Sequence, residues 1–171
     1  MTTTESTLMD EWNTLPWRRL ERSVFKLQQR IYRASNRGDV KTVHRLQRLL
    51  LNSRAAKLLA VRKVTQDNHG KKTAGIDGVK SLTPSQRLTL SQNLKLDGKA
   101  RPVRRVWIPK PGQPDEQRAL GIPVMKERAL QRLVQSALEP EWEARLCAVS
   151  SAIRRATNVV KSLGVFCTHR A

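Results

Sequence analysis

The sequence predicts an α+β fold that is mostly helical and contains one antiparallel β-hairpin. Apolar residues recur at helical spacing over residues 20–61 and again over 124–138. Between these stretches, β-branched and aromatic residues cluster on either side of a segment rich in Pro and Gly. A chain of 171 residues can bury one modest core. We therefore expect an acidic, flexible segment at 1–16, a folded unit at 17–145 and a poorly ordered tail at 146–171.

The folded unit is predicted to begin with a pair of basic helices. The first has apolar residues at three- and four-residue steps, so it should be amphipathic, with a basic face exposed to solvent. It should end near Gly38. Asp39 then suits the N-cap of a second helix, which is interrupted near Ser53 and ends before Asn68. The two helices should pack as a hairpin. Their apolar positions are Leu20, Val24, Leu27, Ile31, Val43, Leu46, Leu50, Leu58 and Val61.

A glycine-rich segment and a short helix are predicted next. Residues 70–81, GKKTAGIDGVKS, hold three of the eight glycines, which favours an extended loop. Asp77 within it is expected to cap a nearby amide in a turn and not to bind a metal. Thr83-Pro84-Ser85-Gln86 has the pattern of a capping box with Pro at the first helical position, so a helix should run to about Leu94.

The β-hairpin is predicted from two extended segments, Val103–Ile108 and Arg118–Ile122, joined by the long tip PKPGQPDEQ. A final helix begins at Val124 and should bend or restart near Pro140. We expect its apolar face to cover the hairpin. In that arrangement Trp107 belongs to the core, although an indole at this position could also stack on a nucleobase. The apolar residues of the helix are Leu130, Leu133, Val134, Ala137 and Leu138.

The charge of the chain indicates a polyanionic partner. Lys and Arg number 33 against 14 Asp and Glu, a net charge of +19. Residues 1–16 contain no Lys or Arg, whereas residues 17–63 hold fourteen. So strong a positive potential makes nucleic acid the default partner. The cations of the predicted hairpin suit phosphate binding on a rigid frame, and the alternative is that they are solvated charges of an exposed strand.

The sequence gives no indication of membrane association, a metal site or a disulfide bond. It has no long uncharged apolar run and no secretory leader, so we expect a cytoplasmic protein without membrane contact. Cys147 and Cys167 are far apart and the three histidines are scattered, which predicts unpaired thiols and no metal site.

Several strings resemble a known family. RRVWIPKPG and RALGIP, followed by a helix, are similar to the first fingers block of reverse transcriptases encoded by group II introns. LERSVFKLQQRIYRASNRGDV, VTQDNHGKKTAGIDGV and LEPEWEAR resemble the N-terminal region of the same reverse transcriptase and maturase family, notably its bacterial members. The resemblance covers roughly residues 10–145, and the shared order of the motifs argues against chance agreement. It implies that residues 17–145 are the N-terminal and fingers domain of an RNA-directed DNA polymerase.

The resemblance also implies site residues. Lys110 in IPK and Arg118 in RALGIP match the Lys and Arg that contact the triphosphate of the incoming nucleotide in that family. The basic helices and the GKKTAGIDG loop would hold the backbone of RNA, group II intron RNA in particular. Mg²⁺ and dNTP belong to the full-length family member, so no cofactor is expected here. The candidates for RNA binding are Lys71, Lys72, Arg104 and Arg105.

The family's palm motif is missing from these 171 residues. Paired metal ions held by palm aspartates stabilise the attacking hydroxyl and the departing pyrophosphate. The sequence has no Asp-Asp pair, and its single tyrosine, Tyr32, excludes a Tyr-x-Asp-Asp motif. We expect no catalytic residue and no DNA synthesis by this chain alone. After Arg145 the resemblance stops, as it would after a frameshift or in a lineage-specific C-terminus.

Three functions remain open at this point. The chain is an RNA-binding fragment of an intron reverse transcriptase without its palm, a stand-alone maturase-like RNA-binding protein, or a non-functional remnant of a mobile element. The sequence does not identify a partner chain.

Overall fold

The computed structural model describes residues 11–99 and 101–156. The π-helical turn Lys63–Asp67 and the 3-10 turn His69–Lys72 follow the helix Arg54–Arg62. The described chain confirms the predicted α+β class, because it is mostly helical and has one two-stranded antiparallel sheet. None of the described helices combines the length and apolar character that crossing a bilayer requires. The elements are α1 (Trp17–Asn36), α2 (Val40–Asn52), α3 (Arg54–Arg62), α4 (Pro84–Gln92), β1 (Arg104–Lys110), β2 (Gln113–Ile122) and α5 (Met125–Ala156).

Local hydrogen bonds fix the turn between α1 and α2, as the sequence predicts. Gly38 has φ +73° and donates its N–H to Ser35 O at 2.9 Å, while Asp39 N–H reaches Ala34 O at 3.0 Å. These two bonds form a Schellman motif, which favours glycine at the left-handed position. The Asp39 carboxylate then accepts the N–H of Thr42 at 3.0 Å, and hydrogen bonding from the side chain and the backbone of Thr42 lowers the pKa of Asp39. The predicted N-cap is confirmed.

The predicted interruption of the second helix is confirmed. α2 ends at Asn52 and α3 begins at Arg54, with Ser53 extended between them. Helical structure continues as the π turn to Asp67 and so ends directly before Asn68, as predicted. The beginning of the glycine-rich loop is more regular than predicted. It forms a 3-10 turn because Thr73 N–H donates to Gly70 O at 3.1 Å.

The helix α4 begins with the predicted capping box. The Thr83 hydroxyl accepts the N–H of Gln86 at 3.3 Å, and the Gln86 side chain accepts the N–H of Thr83 at 2.9 Å. Pro84 occupies the first helical position, where no N–H is needed. The helix ends at Gln92, two residues before the predicted end.

The hairpin is longer and its tip shorter than predicted. The strands extend to Lys110 and from Gln113, and these two residues are paired. Only Pro111 and Gly112 connect them, and Gly112 has φ +79°, which matches the third position of a type II turn. The predicted nine-residue tip is therefore wrong. Most of it belongs to the strands, with a register irregularity after Pro109 that leaves extra residues on β2.

The apolar face of α5 packs against the N-terminal helices and not against the hairpin. α5 contacts α1, α2, α3 and the π turn, while the two strands contact chiefly each other. The prediction that this helix covers the hairpin is wrong, because α1 to α3 already bury the face that the hairpin was expected to use. The core consists mainly of Val24, Ile31, Ala34, Val43, Leu46, Leu50, Ala56, Leu58, Val61, Leu88, Leu94, Ala129, Leu130, Leu133 and Ala137.

Trp12 is part of this core, which differs from the expectation of a flexible segment at 1–16. Its side chain is 1% exposed, and its indole N–H donates to Gln66 Oε1 at 3.2 Å. Trp17 packs against it edge to face, with ring centroids 5.0 Å apart. The guanidinium of Arg62 lies 4.7 Å from the centre of the Trp17 ring. Residues 1–10 of the predicted segment lie outside the described residues.

The helix α5 continues through Pro140, where a bend or restart was predicted. Proline has no N–H, so Ser136 O loses its helical partner four residues on. The side chain of Gln28 on α1 replaces that donor, with Nε2 2.9 Å from Ser136 O. The helix reaches Ala156, so its backbone includes the first part of the predicted tail. The remainder of that tail, 157–171, lies outside the described residues.

The replacement of a helical hydrogen bond by Gln28 can be tested with a double-mutant cycle. Gln28→Ala should lower the free energy of unfolding by about 1–3 kcal/mol, because it leaves Ser136 O without a donor. In a Pro140→Ala background the same change should cost less, since residue 140 then supplies an N–H to that carbonyl. Urea denaturation measures both costs. Gln29→Ala, at the exposed neighbouring position, is the control, and an equal cost of Gln28→Ala in both backgrounds would contradict the assignment.

Candidate nucleic-acid interface

The outer surface of α1 carries a continuous row of cations, here called the α1 stripe. Its members are three or four residues apart, so they lie on one side of the helix over about 28 Å. All are exposed, and no ion pair joins any of them to an acid within residues 11–99 and 101–156. The opposite side of the helix packs on the core through Val24, Ile31 and Ala34. The α1 stripe consists of Arg18, Arg22, Lys26, Arg30 and Arg33 on α1 together with Arg37 at its C-cap.

A shallow groove borders the α1 stripe. It runs between α1 and the junction of α2 with α3, and Lys26, Arg30, Asn52 and Ser53 contribute polar groups to its lining. Leu27 and Leu49 form its apolar part. Cations and neutral hydrogen-bonding groups along one groove are suited to an extended polyanion, which needs both charge neutralisation and positioning contacts.

The two candidate lysines of the glycine-rich loop differ in their surroundings. Lys71 is half-buried, and its ammonium donates to Gln66 O at 2.6 Å. Lys72 is exposed, and it has no ion-pair partner among the described side chains. Asp77 accepts the N–H of Val79 at 3.3 Å, so it forms the predicted turn. Lys72 is therefore the more accessible cation of the loop.

Arg128 ties this loop to the end of the hairpin, and we call its three contacts the Arg128 bridge. From the first turns of α5, its guanidinium donates to Gly70 O at 2.8 Å and to Thr73 O at 2.6 Å. Its Nε donates to Pro123 O at 2.8 Å, directly after β2. A planar guanidinium carries five N–H donors in a rigid fork, so it can reach acceptors on different segments, whereas the three donors of a lysine ammonium start from a single point. The loop that carries Lys72 is thus held against the exit of the hairpin.

Gly75 allows the loop to approach this junction closely. A Cβ at residue 75 would lie 2.8 Å from Val124 Cα and 2.9 Å from Val124 N, both backbone atoms. Such distances are closer than van der Waals contact permits, so the position requires glycine. The close approach and the Arg128 bridge act on the same pair of segments.

The register of the hairpin assigns its residues to two faces, because residues directly opposite each other share a face and neighbours alternate. Arg104 therefore lies on one face and Arg105 on the other, so the structure does not bring these two candidates together. Arg118 shares the face of Arg104, and all three are exposed. The Arg118 face comprises Arg104, Val106, Ile108, Arg118, Leu120 and Ile122, and the Trp107 face comprises Arg105, Trp107, Pro109, Gln117, Ala119 and Gly121.

Lys110 lies at the turn and forms an ion pair with Glu116 across the irregular part of the hairpin. Both side chains are about half exposed, so water screens the pair. The expected roles of Lys110 and Arg118 toward a nucleotide stay predictions, as do the RNA contacts of Lys71, Lys72, Arg104 and Arg105.

Trp107 was expected in the core, and that expectation is wrong. Its side chain is 58% exposed, since the helix that was expected to cover it packs elsewhere. Arg128 was not singled out from the sequence at all. One arginine among 33 basic residues has no distinguishing signal, and its three acceptors lie 5 to 58 positions away.

Comparison with known proteins extends these observations. Residues 12–94 match the family described as the N-terminal domain of reverse transcriptase. Maturase-like protein 1 of Euglena gracilis is 32% identical over 138 residues, which cover 75% of this chain and 28% of that protein. The chain therefore contains the N-terminal region of a reverse transcriptase or maturase. The reverse transcriptase N-terminal domain starts at the buried Trp12 and includes the α1 stripe, the glycine-rich loop and α4.

Two further relatives have similar coverage. Protein YkfC of Escherichia coli (strain K12) is 33% identical over 117 residues, or 64% of this chain and 30% of that protein. Maturase-like protein 1 of Euglena longa is 28% identical over 139 residues, or 77% of this chain and 29% of that protein. The chain thus spans less than a third of the length of these relatives. The matched domain ends at residue 94, before the hairpin. The alignments with the two maturase-like proteins are longer than this domain, so they also include residues that follow it.

The Arg128 bridge can be tested by removing its donors while keeping an apolar stem. Arg128→Met should lower the free energy of unfolding by about 1–3 kcal/mol, because three backbone carbonyls lose a charged donor. The amides of residues 70–75 should exchange hydrogen faster. Arg132→Met, one turn further along α5, removes the same charge and is the control. If the two variants gave equal stability and equal exchange in the loop, the bridge would not hold the loop.

Proposed function

We propose that this chain binds RNA through the phosphate backbone, with the α1 stripe as the principal contact and the hairpin and loop cations as further contacts. The observation that carries the proposal is the α1 stripe itself, an exposed row of cations without acidic partners on a rigid helix. A nucleic acid gains affinity there because these cations neutralise its phosphates and release the counterions that the phosphates had condensed. Little backbone order has to be imposed, since the helix is already fixed by its core face.

Similarity to the N-terminal region of reverse transcriptases and maturases supports RNA over other polyanions. Two relatives are named maturase-like proteins. The strings quoted above resemble the N-terminal region of reverse transcriptases encoded by group II introns, so we propose group II intron RNA as the cognate partner. Lys72, Arg104 and Arg118 are proposed as backbone contacts beside the α1 stripe.

The proposal includes binding without DNA synthesis. Polymerisation requires aspartates that hold two metal ions, and these 171 residues contain no Asp-Asp pair. A primer-extension reaction with purified chain, a primed RNA template, dNTP and Mg²⁺ should therefore give no extended product. Extension above a no-protein control would contradict this part of the proposal and would leave RNA binding intact.

The role of the α1 stripe is tested by the salt dependence of RNA affinity. A triple variant, Lys26→Gln with Arg30→Gln and Arg33→Gln, should bind intron RNA more weakly than the wild type. The slope of log affinity against log salt should become shallower by about 2–3, since each phosphate contact contributes about 0.7–0.9. Filter-binding titrations at several salt concentrations measure the slope.

A second triple variant matches the lost charge elsewhere. Lys41→Gln with Lys95→Gln and Lys99→Gln removes three exposed lysine charges outside the α1 stripe, the glycine-rich loop and the hairpin. It should change the slope less than the stripe variant does. Equal slopes for the two variants would show that RNA responds only to net charge, and the assignment of the α1 stripe would fail.

The identity of the RNA requires a separate comparison. Wild-type protein should bind group II intron RNA more tightly than a scrambled RNA of equal length at the same salt concentration. Equal affinity for both would remove the maturase-like preference and leave a general RNA-binding domain.

A further inference from the structure

Trp107 is an exposed aromatic residue, and within the described structure no aromatic or cationic side chain packs on its ring. The other three tryptophans each have a guanidinium over the ring, and Trp12 and Trp17 also contact one another. Among the described residues, Trp107 has no such ring contact, and its indole N–H has no hydrogen-bond partner. The side chain is 58% exposed.

Two of the three cross-strand neighbours of Trp107 on this face are small, and the third, Gln117, is itself exposed. Ala119 is its direct cross-strand partner, and Gly121 is opposite Arg105 on the same face. Neither can cover the indole, although aromatic residues in sheets normally gain stability from large cross-strand neighbours. Gly121 itself is approached closely by Val103, whose Cγ2 would lie 3.0 Å from a Cβ at residue 121. The Trp107 face therefore leaves the ring accessible to another planar group.

The charge around the ring favours a nucleobase as that group. Arg105 lies on the Trp107 face two residues before the indole, is exposed, and has no ion-pair partner among the described side chains. A cation that binds phosphate beside a ring that stacks on a base is the arrangement of single-strand binding surfaces. A protein ligand would need acidic groups to balance the cations of the hairpin, whereas RNA brings one anionic phosphate with every base.

We propose that the Trp107 face is a stacking platform for an unpaired base of single-stranded RNA, with Arg105 contacting the adjoining phosphate. This inference rests on the proposed RNA binding and adds to it a base contact that the phosphate contacts of the α1 stripe cannot provide. It assigns the two hairpin faces different tasks. The Arg118 face presents two exposed cations, and the Trp107 face presents one ring and one cation.

The experiment compares two labelled ligands of equal charge, a decamer of adenylate and a decamer of abasic ribose phosphate. Fluorescence anisotropy gives the affinity of the full chain for each. The wild type should bind the adenylate decamer more tightly. Trp107→Ala should weaken adenylate binding about tenfold, the order expected for one lost base stack, and leave abasic binding unchanged. Its salt slope should equal that of the wild type, because the indole carries no charge.

Two further variants test the ring specifically. Trp107→Phe keeps a smaller aromatic ring and should retain part of the preference for bases. Trp142→Ala removes another tryptophan, 52% exposed on α5, whose ring already has the Arg145 guanidinium 5.2 Å from its centre. This control should bind both decamers as the wild type does. Circular dichroism melts should show that all variants are folded.

The outcomes separate this inference from the proposal on which it rests. If the wild type binds neither decamer but binds intron RNA in the filter assay, RNA binding stands and the platform is wrong. If it binds none of these ligands, RNA binding itself is wrong and the platform falls with it. If the wild type binds both and Trp107→Ala keeps the full preference for adenylate, RNA binding stands and the platform is wrong. If Trp107→Ala leaves RNA affinity unchanged but abolishes a concentration-dependent self-association of the wild type, the face is a protein contact, which also overturns the inference.

Discussion

The burial of one face of α5 against α1, α2 and α3 is the constraint on which the rest of the structure depends. Leu130, Leu133 and Ala137 are buried there, and each large apolar side chain removed from water contributes about 1.5–3 kcal/mol. Polar side chains set the register of the packing. Gln28 reaches Ser136 O, and the Gln47 amide donates to the buried Glu141 carboxylate at 2.7 Å. A helix with an internal proline therefore remains continuous because its neighbours satisfy the group that the proline leaves unpaired.

This packing leaves the hairpin exposed. The apolar face of α5 can be covered only once, and α1 to α3 cover it, so the strands extend from the helical body with both faces largely accessible. An appendage of two strands has little stability of its own. The Arg128 bridge and the close approach at Gly75 hold its exit against the glycine-rich loop. Because the end of the hairpin is held in place, the cations of the hairpin and of the loop keep fixed positions relative to each other. This lowers the entropy lost when a ligand binds both.

Local rules predicted the parts of the fold that depend on neighbouring residues. The helix end near Gly38, the N-cap at Asp39 and the capping box at Thr83 each involve residues within about five positions, so the sequence shows them directly. The partner of each apolar face is a long-range choice, and the helical spacing of Leu130 and Leu133 is equally compatible with covering strands or helices.

The same limit explains what the sequence could not show about the candidate interface. The cations of the α1 stripe follow from helical spacing, because one side of an amphipathic helix must face water. The exposure of Trp107 depends on what α5 covers, and the Arg128 bridge depends on carbonyls far away in sequence. Trp12 was assigned to a flexible segment from the acidic composition around it, and only its contact with Gln66 and the helical core reveals its place.

The distribution of ion pairs shows which cations remain available to a polyanion. The acids that form pairs in the described chain engage Arg62, Lys63, Arg101, Lys110 and Arg145, and none of these belongs to the α1 stripe. The cations left unpaired among the described residues include those of α1, α2, the glycine-rich loop and the hairpin, and α1 carries the longest row. Lys110 is the one candidate site residue that is ion-paired, and an exposed pair of this kind contributes only about 0–1 kcal/mol. A phosphate group can displace Glu116 at small cost, so the pair orients Lys110 near the turn without withdrawing it from the interface.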